Sequence, residues 1–196
     1  MSYMKIFMIM NNGNLKGYKK FGNAFRGAYL IWQYLEDKYM PYNKLGKGME
    51  REFSVFTTQE KDRLNKFWNL VNDDRLSIAE KITLYHTYDG VMVKKKNFKK
   101  LIKAFEEVSN QMEDCGHLKD QIIAVEKLIH EPKVIGICWQ HTSVNADAWL
   151  NEGWVYEYDE ETGNEIDSRP FNIFKDNYHD QYWLFERLNK RMKKNE

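Results

Sequence analysis

The polar run 140–145 contains residue types that could carry out catalysis. It places His141, Ser143 and Asn145 directly after an apolar segment, and Asp147 follows two residues later. Because sheet proteins commonly place catalytic and ligand-binding groups at strand ends, these four residues predict a small hydrolase or transferase site. The nucleophile-elbow pattern G-x-S-x-G is absent, however, and a serine in a turn or helix cap is the commoner explanation of Ser143.

Cys138 is the other candidate nucleophile near this run. A catalytic Cys–His pair needs an exposed thiol with a lowered pKa and an imidazole within hydrogen-bond reach. The alternation of the apolar segment places Cys138 on a buried sheet face, and His141 would face the other side. We therefore interpret Cys138 as a core thiol. Since neither Cys138 nor Cys115 belongs to a C-x-x-C motif, reduced thiols in a cytosolic protein are expected.

The spacing of the histidines and glycines gives little evidence for a metal site or a nucleotide site. No two histidines have H-x-H, H-x-x-x-H or H-E-x-x-H spacing, so the sequence predicts no metal and no cofactor. The stretch 13–27 is rich in glycine and lysine, but it lacks both phosphate-loop patterns, GxxxxGK[ST] and GxGxxG. We interpret Gly27 as a position of close packing inside a helix. The five histidines are His86, His117, His130, His141 and His179.

Six lysines lie within ten residues where a predicted strand meets a predicted helix. They are Lys94, Lys95, Lys96, Lys99, Lys100 and Lys103. Such a patch could contact phosphate groups, so nucleic-acid binding is a second alternative function, and its affinity would fall steeply with salt. The patch lacks arginine, which pairs best with phosphate, and the chain carries 30 basic against 29 acidic residues. An ordinary solvated surface is the simpler interpretation.

A late segment combines aromatic rings with carboxylates, and it carries our leading hypothesis. Tyrosine and tryptophan are enriched in protein interfaces because they offer large, rigid area with a polar group, and this chain has six tryptophans and twelve tyrosines. We predict a surface that binds a protein partner. The alternative is a core role, since residues 154, 156 and 158 share one strand face that could lie on helices. The predicted surface consists of Trp149, Trp154, Tyr156, Tyr158, Asp159, Glu160 and Glu161.

The strands that must position these residues follow from apolar runs bounded by turn residues. We predict strands over 3–11, 52–57, 90–94 and 134–139, of which the last is apolar on both faces and therefore central. Residues 154–158 and 164–167 flank Asp-Glu-Glu-Thr-Gly, which predicts a hairpin.

Helical periodicity predicts five further segments and a capping box. One stripe runs from Phe21 to Tyr39, and the others are expected over 64–71, 98–108, 118–129 and 178–192. Ser77 and Glu80 have the spacing of a capping box, so a short helix should begin there. Asn97 is placed to cap the helix predicted over 98–108.

Taken together, these elements predict an α+β fold. We expect one mixed or antiparallel sheet packed by several amphipathic helices, with a late β-hairpin and a docked C-terminal helix. Residues 1–196 should form a single compact domain, to which the acidic hairpin at about 153–168 is an appendage.

The apolar runs also bear on location and class of function. No run approaches the ~20 residues of a membrane span and no signal-peptide pattern is present, so a cytoplasmic protein without membrane association is expected. The abundance of lysine, asparagine and tyrosine indicates AT-rich coding, as in low-GC bacteria and their phages. We expect a non-enzymatic binding protein of phage or mobile-element accessory type, which acts by binding a host or phage macromolecule.

Overall fold

A five-stranded mixed sheet forms the centre of the protein. The computed structural model describes residues 2–40, 61–88, 90–141, 153–176 and 181–192. The strands of the central sheet are β1 (Tyr3–Met10), β2 (Leu15–Gly22), β3 (Val91–Lys94), β4 (Val134–His141) and β7 (Tyr182–Trp183). Their order is β2-β1-β4-β3-β7, and all neighbours are antiparallel except β3 and β7, which are parallel. A separate two-stranded sheet joins β5 (Trp154–Tyr158) to β6 (Glu165–Pro170).

Six α-helices accompany the strands in the described parts of the chain. They are α1 (Phe25–Tyr39), α2 (Lys61–Asn69), α3 (Ile78–Tyr85), α4 (Phe98–Ser109), α5 (Leu118–Leu128) and α6 (Leu184–Met192). None of these helices combines the length and the apolar character that crossing a bilayer requires. The predicted α+β class, with its late hairpin and helix-packed sheet, is confirmed. The predicted strand over 52–57 lies outside the described residues.

The first hairpin differs from the sequence prediction. The helix expected from Phe21 begins at Phe25, and Phe21 is instead a buried residue of β2. The stretch 13–22 contains glycines and lysines, which have low strand propensity, but pairing with β1 overrides that preference. Lysines suit β2 because it lies at the edge of the described sheet, where charged side chains oppose pairing with other molecules.

Both faces of the central strands are buried. On β1, Met4 and Ile6 pack with the helices, whereas Phe7 and Ile9 point to the opposite face. β4 lies between β1 and β3 and is buried along most of its length, as predicted for a central strand. Gly27 lets α1 approach the sheet closely, since a Cβ at this position would lie 2.5 Å from the Met4 sulfur.

The second face of the sheet has its own small core. Leu15 and Met92 join Cys138 there, which confirms that this thiol is buried, and Phe171 covers them. Because Phe171 directly follows β6, the need to cover this face fixes where the base of the β5–β6 hairpin lies.

The helical stripes are confirmed in most positions. The apolar stripe predicted over 98–108 is buried in α4, whereas Leu64, the first residue of the stripe predicted over 64–71, is 37% exposed on α2. At the C-terminus, Tyr182 lies on β7 rather than on a helix, since β7 pairs with β3 before α6 begins at Leu184. Leu184 and Leu188 are buried, so the C-terminal helix is docked as predicted.

A buried carboxylate ties α1 to α3. Ser77 and Glu80 form the predicted capping box, in which the Ser77 N–H donates to Glu80 Oε2 at 2.8 Å. The Lys38 ammonium donates to Glu80 Oε1 at 2.8 Å, and the hydroxyls of Tyr34 and Tyr39 donate at 3.2 and 2.7 Å. Burial alone would raise the pKa of Glu80, but the hydrogen bonds from Lys38, Tyr39 and Ser77 outweigh it and lower that pKa.

We predict that E80Q destabilises the protein. The amide keeps the shape of the side chain but removes the charge that Lys38 and the tyrosine hydroxyls contact. Because hydrogen bonds to charged groups contribute ~1.5–3 kcal/mol each and Lys38 is partly exposed, the free energy of unfolding should fall by about 2 kcal/mol. Urea denaturation followed by circular dichroism measures this change.

The matched control is D114N. Asp114 forms a bidentate ion pair with Arg26 at 2.8 and 2.9 Å, but both side chains are exposed. Exposed pairs contribute about 0–1 kcal/mol, so D114N should change stability by less than E80Q does. Equal losses in the two variants would show that the buried position of Glu80 has no special importance.

Candidate binding site

The residues predicted for catalysis are divided between described and undescribed parts of the chain. His141 is the last residue of β4 and is fully buried on the helix-packed side, as is Trp139. Ser143, Asn145 and Asp147 lie outside the described residues. The hydrolase or transferase site around His141 therefore stays a prediction. Of its four predicted residues, the structure describes only His141, whose imidazole is not accessible to solvent.

His141 lies beside a second buried histidine that the sequence did not connect to it. The ring centroids of His86 and His141 are 5.9 Å apart, and the His86 ring also contacts Phe105 and Trp139. His86 Nδ1 is hydrogen-bonded to the carbonyl oxygen of Thr83. Its Nε2 and both nitrogens of His141 make no hydrogen bond of normal geometry with the described residues. The two histidines are 55 positions apart, so only tertiary packing brings the end of α3 and the end of β4 together at this point.

Both imidazoles are neutral at neutral pH. Burial lowers the pKa of His86 to about 4. Burial, followed by repulsion from the neighbouring His86, lowers the pKa of His141 to about 3. A general acid or base works best when its pKa is near the operating pH and it reaches the substrate, so this environment favours a structural role for the pair.

The described residues contain no group of three metal-ligand side chains. Histidine, cysteine, aspartate and glutamate side chains do not come together in groups of three or more that could hold a metal ion among the described residues. Neither Cys138 nor the half-buried Cys115 forms a disulfide.

The lysine patch of residues 94–103, called the lysine junction below, is partly engaged in contacts within the protein. Lys94 forms an ion pair with Glu186 and lies 5.0 Å from the ring centroid of Trp183. Lys95 donates a hydrogen bond to the carbonyl oxygen of Glu131. The exposed lysines of the junction are Lys96, Lys99, Lys100 and Lys103. A hollow of about 380 Å³ lies beside them, but Glu186 also lines it and reduces its positive charge.

The late hairpin presents aromatic side chains to solvent. Trp154 is 43% exposed and Tyr158 is 57% exposed, while Tyr156 is half-buried and stacks on Tyr158 with ring centroids 6.4 Å apart. Ile166 on β6 is 66% exposed. These four residues together with Glu160 and Glu161 are called the hairpin surface below. The predicted contact residue Trp149 lies outside the described residues.

Three acidic residues of the hairpin have different environments. Asp159 holds the turn, since its Oδ1 accepts hydrogen bonds from the Thr162 N–H at 2.7 Å and from the Glu161 N–H at 3.1 Å. The Thr162 N–H is the main cause of a lowered pKa of Asp159. Glu157 and Asp167 lie directly opposite each other across the strands, an arrangement of like charges that is destabilising without a cation nearby.

The hairpin is anchored to the first turn of the chain by Asn172. The Asn172 side-chain amide donates to the carbonyl oxygen of Asn12 at 3.0 Å and to Asn14 Oδ1 at 2.6 Å. Its Oδ1 accepts from the Phe174 N–H at 2.9 Å, and its own N–H donates to Asp176. No short sequence pattern predicts its contact with the first turn, because Asn12 and Asn14 lie about 160 residues away.

A cleft opens between this first turn and the base of the hairpin. It has a volume of about 550 Å³ and is called the first-turn cleft below. Trp154 forms part of its wall, so the cleft adjoins the hairpin surface. Its polar lining comes from Asn11, Asn12, Asn14, Lys16 and Lys133. The sequence prediction did not single out these asparagines, since each is an ordinary turn residue when considered alone.

We predict that the buried histidines make folding stability depend on pH. The pKa values of His86 and His141 in the folded protein lie below the ordinary value of 6.5. At pH values between the folded and the unfolded pKa, the unfolded chain therefore binds more protons than the folded protein does. Stability should fall as the pH decreases through this range. The free energy of unfolding should fall by about 3 kcal/mol between about pH 7 and about pH 5, before most carboxylates titrate. Urea denaturation at several pH values measures this slope.

The control is H130Q, which removes an exposed imidazole after α5 and should leave the slope unchanged. Side-chain NMR gives an independent check, because the ring signals of His86 and His141 should not shift over the same pH range while the protein stays folded. A flat stability profile, or ring signals that shift in the folded protein, would contradict the prediction.

The hairpin surface and the first-turn cleft thus form one continuous region around Trp154. Anchoring by Asn172 holds the two parts in a fixed relation. Comparison with known proteins found no family model, no curated protein and no solved structure that matches this chain.

Proposed function

We propose that this protein is a non-enzymatic binding protein that attaches to a macromolecular partner through the hairpin surface. The observation that carries the proposal is the exposure of Trp154 and Tyr158 on a hairpin that projects from the sheet. Exposed aromatic clusters on a protein surface commonly mark interaction sites. Tyrosine and tryptophan are also the residues that most often dominate binding energy in protein interfaces.

The packing of the hairpin supports this interpretation over a core role. Trp139 is buried beneath the helices, where its indole N–H donates to Gln121 at 2.8 Å, so it belongs to the core. The rings of β5 have no such cover among the described residues, and Tyr156 and Tyr158 stack mainly on each other. Water released from these rings would contribute to binding.

The charge of the hairpin indicates what the partner should carry. Residues 153–170 contain six carboxylates and one guanidinium, that of Arg169, which already pairs with Asp176 at 2.6 and 2.7 Å. Complementary charge speeds association and selects among partners, so a protein with a basic surface fits best. A nucleic acid would be repelled by the same carboxylates.

Anchoring of the hairpin reduces the cost of binding. The Leu15 N–H donates a main-chain hydrogen bond to the Phe171 carbonyl oxygen, and the Ile173 N–H donates to the Gly13 carbonyl oxygen. Together with the Asn172 side chain, these bonds hold the base of the hairpin before a partner arrives. A surface that is already ordered loses less conformational entropy on association.

We predict that the double variant Y156A/Y158A loses its partner. The full-length protein is used as bait in a lysate of its source cell, at low and moderate salt and after nuclease treatment, with mass spectrometry as the readout. The expected result is one protein partner that survives nuclease. Because aromatic hot spots contribute ~2 kcal/mol or more, the variant should bind the purified partner at least about thirtyfold more weakly.

Two further variants separate aromatic from electrostatic contributions. E160Q/E161Q should mainly slow association and reduce the dependence of the rate on salt. I123A serves as the control, because Ile123 lies on α5 outside the hairpin and is about as exposed as Tyr158. This variant should bind the partner normally. Unchanged partner binding by Y156A/Y158A would reject the proposal.

A further inference from the structure

We propose that the first-turn cleft binds a mononucleotide, a small ligand that joins a phosphate group to a flat, hydrogen-bonding ring. This function would be additional to partner binding. The volume of about 550 Å³ lies within the roughly 300–1,000 Å³ of small-molecule sites. The lining supplies the three kinds of group that such a ligand needs, which are free cations, amides and an aromatic face.

Lys16 and Lys133 supply positive charge for the phosphate. Neither ammonium group forms an ion pair or hydrogen bond in the described part of the chain. They flank the end of β1, since Lys16 belongs to β2 and the Lys133 carbonyl accepts a hydrogen bond from the Asn11 N–H at 2.8 Å. Two unpaired cations at one concave site favour an anion.

The asparagines and Trp154 supply contacts for the ring. A side-chain amide carries both donors and an acceptor, so it can match the edge of a base. The side-chain amide of Asn11 makes no hydrogen bond with the described residues, whereas Oδ1 of Asn12 already accepts the Asn14 N–H at 3.1 Å. Trp154 keeps 43% of its surface exposed at the cleft wall, where a flat ring could stack.

The cleft is shaped before any ligand binds. Gly13 has a φ of 88°, and a Cβ there would lie 2.4 Å from Phe174, so the turn and the chain after β6 pack in direct contact. Gly153 also has a φ of 88°, and a Cβ there would lie 2.8 Å from the Phe7 ring. Both glycines adopt a backbone conformation that other residues rarely take, and Gly153 directly precedes Trp154.

The neighbouring charges favour a single nucleotide over a strand. A bound polynucleotide would have to continue past the hairpin, whose carboxylates include Glu157 and Asp167 on adjacent strands. Repulsion between these groups and successive phosphates opposes such a path. One phosphate held by Lys16 and Lys133 avoids it.

The test uses the purified full-length protein with adenosine and cytidine monophosphates. Isothermal titration calorimetry measures affinity, and amide shifts in NMR locate the site. We expect shifts centred on Asn11, Asn12, Gly17 and Gly153. Affinity should fall at least about fivefold in W154L, because stacking of a base on an aromatic ring contributes ~1–3 kcal/mol, and about tenfold in K16Q/K133Q.

Controls distinguish this site from other phosphate sites and from partner binding. K100Q, at the hollow of the lysine junction, should bind nucleotide normally. K16Q/K133Q should keep the macromolecular partner, and Y156A/Y158A should keep the nucleotide, so either proposal can fail alone. The nucleotide proposal is overturned by any of four results: no binding at millimolar nucleotide, loss of binding in K100Q, equal affinity for inorganic phosphate, or binding of oligothymidylate but not of mononucleotides.

Discussion

Both faces of the β1–β4 pair must be buried, and this requirement dictates where the later parts of the chain run. Side chains alternate along a strand, so one face of this pair buries Ile6 and Trp139 under helices, and the other presents Phe7 and Cys138. The second face would expose an apolar surface to water if nothing covered it. Phe171 and the segment around it provide the cover, so the late part of the chain must return across the sheet.

That return places the proposed binding region. A segment that covers Phe7 and Leu15 must run beside the first turn, and there Asn172 meets Asn12 and Asn14. The hairpin that precedes Phe171 is then held at its base while its outer half extends into solvent. The hairpin surface and the first-turn cleft are both consequences of this packing, because one projects beyond the cover and the other lies along its margin.

Polar groups in the core follow two different rules. Glu80 keeps its charge because a capping N–H, two hydroxyls and an ammonium group surround it. His86 and His141 have no comparable set of charged partners among the described residues, and burial keeps them neutral by lowering their pKa values. The pair accounts for His141 without invoking catalysis, although the polar residues that follow it in the sequence remain candidates for an enzyme site.

Elements whose signals are local could be predicted from the sequence. Each of these signals depends on residues that are close together in the sequence. They are the stripe of α4, the capping box of Ser77 and Glu80, the apolar strand β4 and the late hairpin. The α+β class could therefore be predicted. The aromatic and acidic hairpin could also be identified from composition. Tertiary structure alone decided the strand pairing of β2, whose lysines and glycines have weak local preference, and the exposure of Leu64. Tertiary packing also brings His86 into contact with His141 and forms the cleft between Asn11 and Trp154. These residues lie 55 and about 140 positions apart in the sequence, so their proximity depends on how the two faces of the sheet are covered.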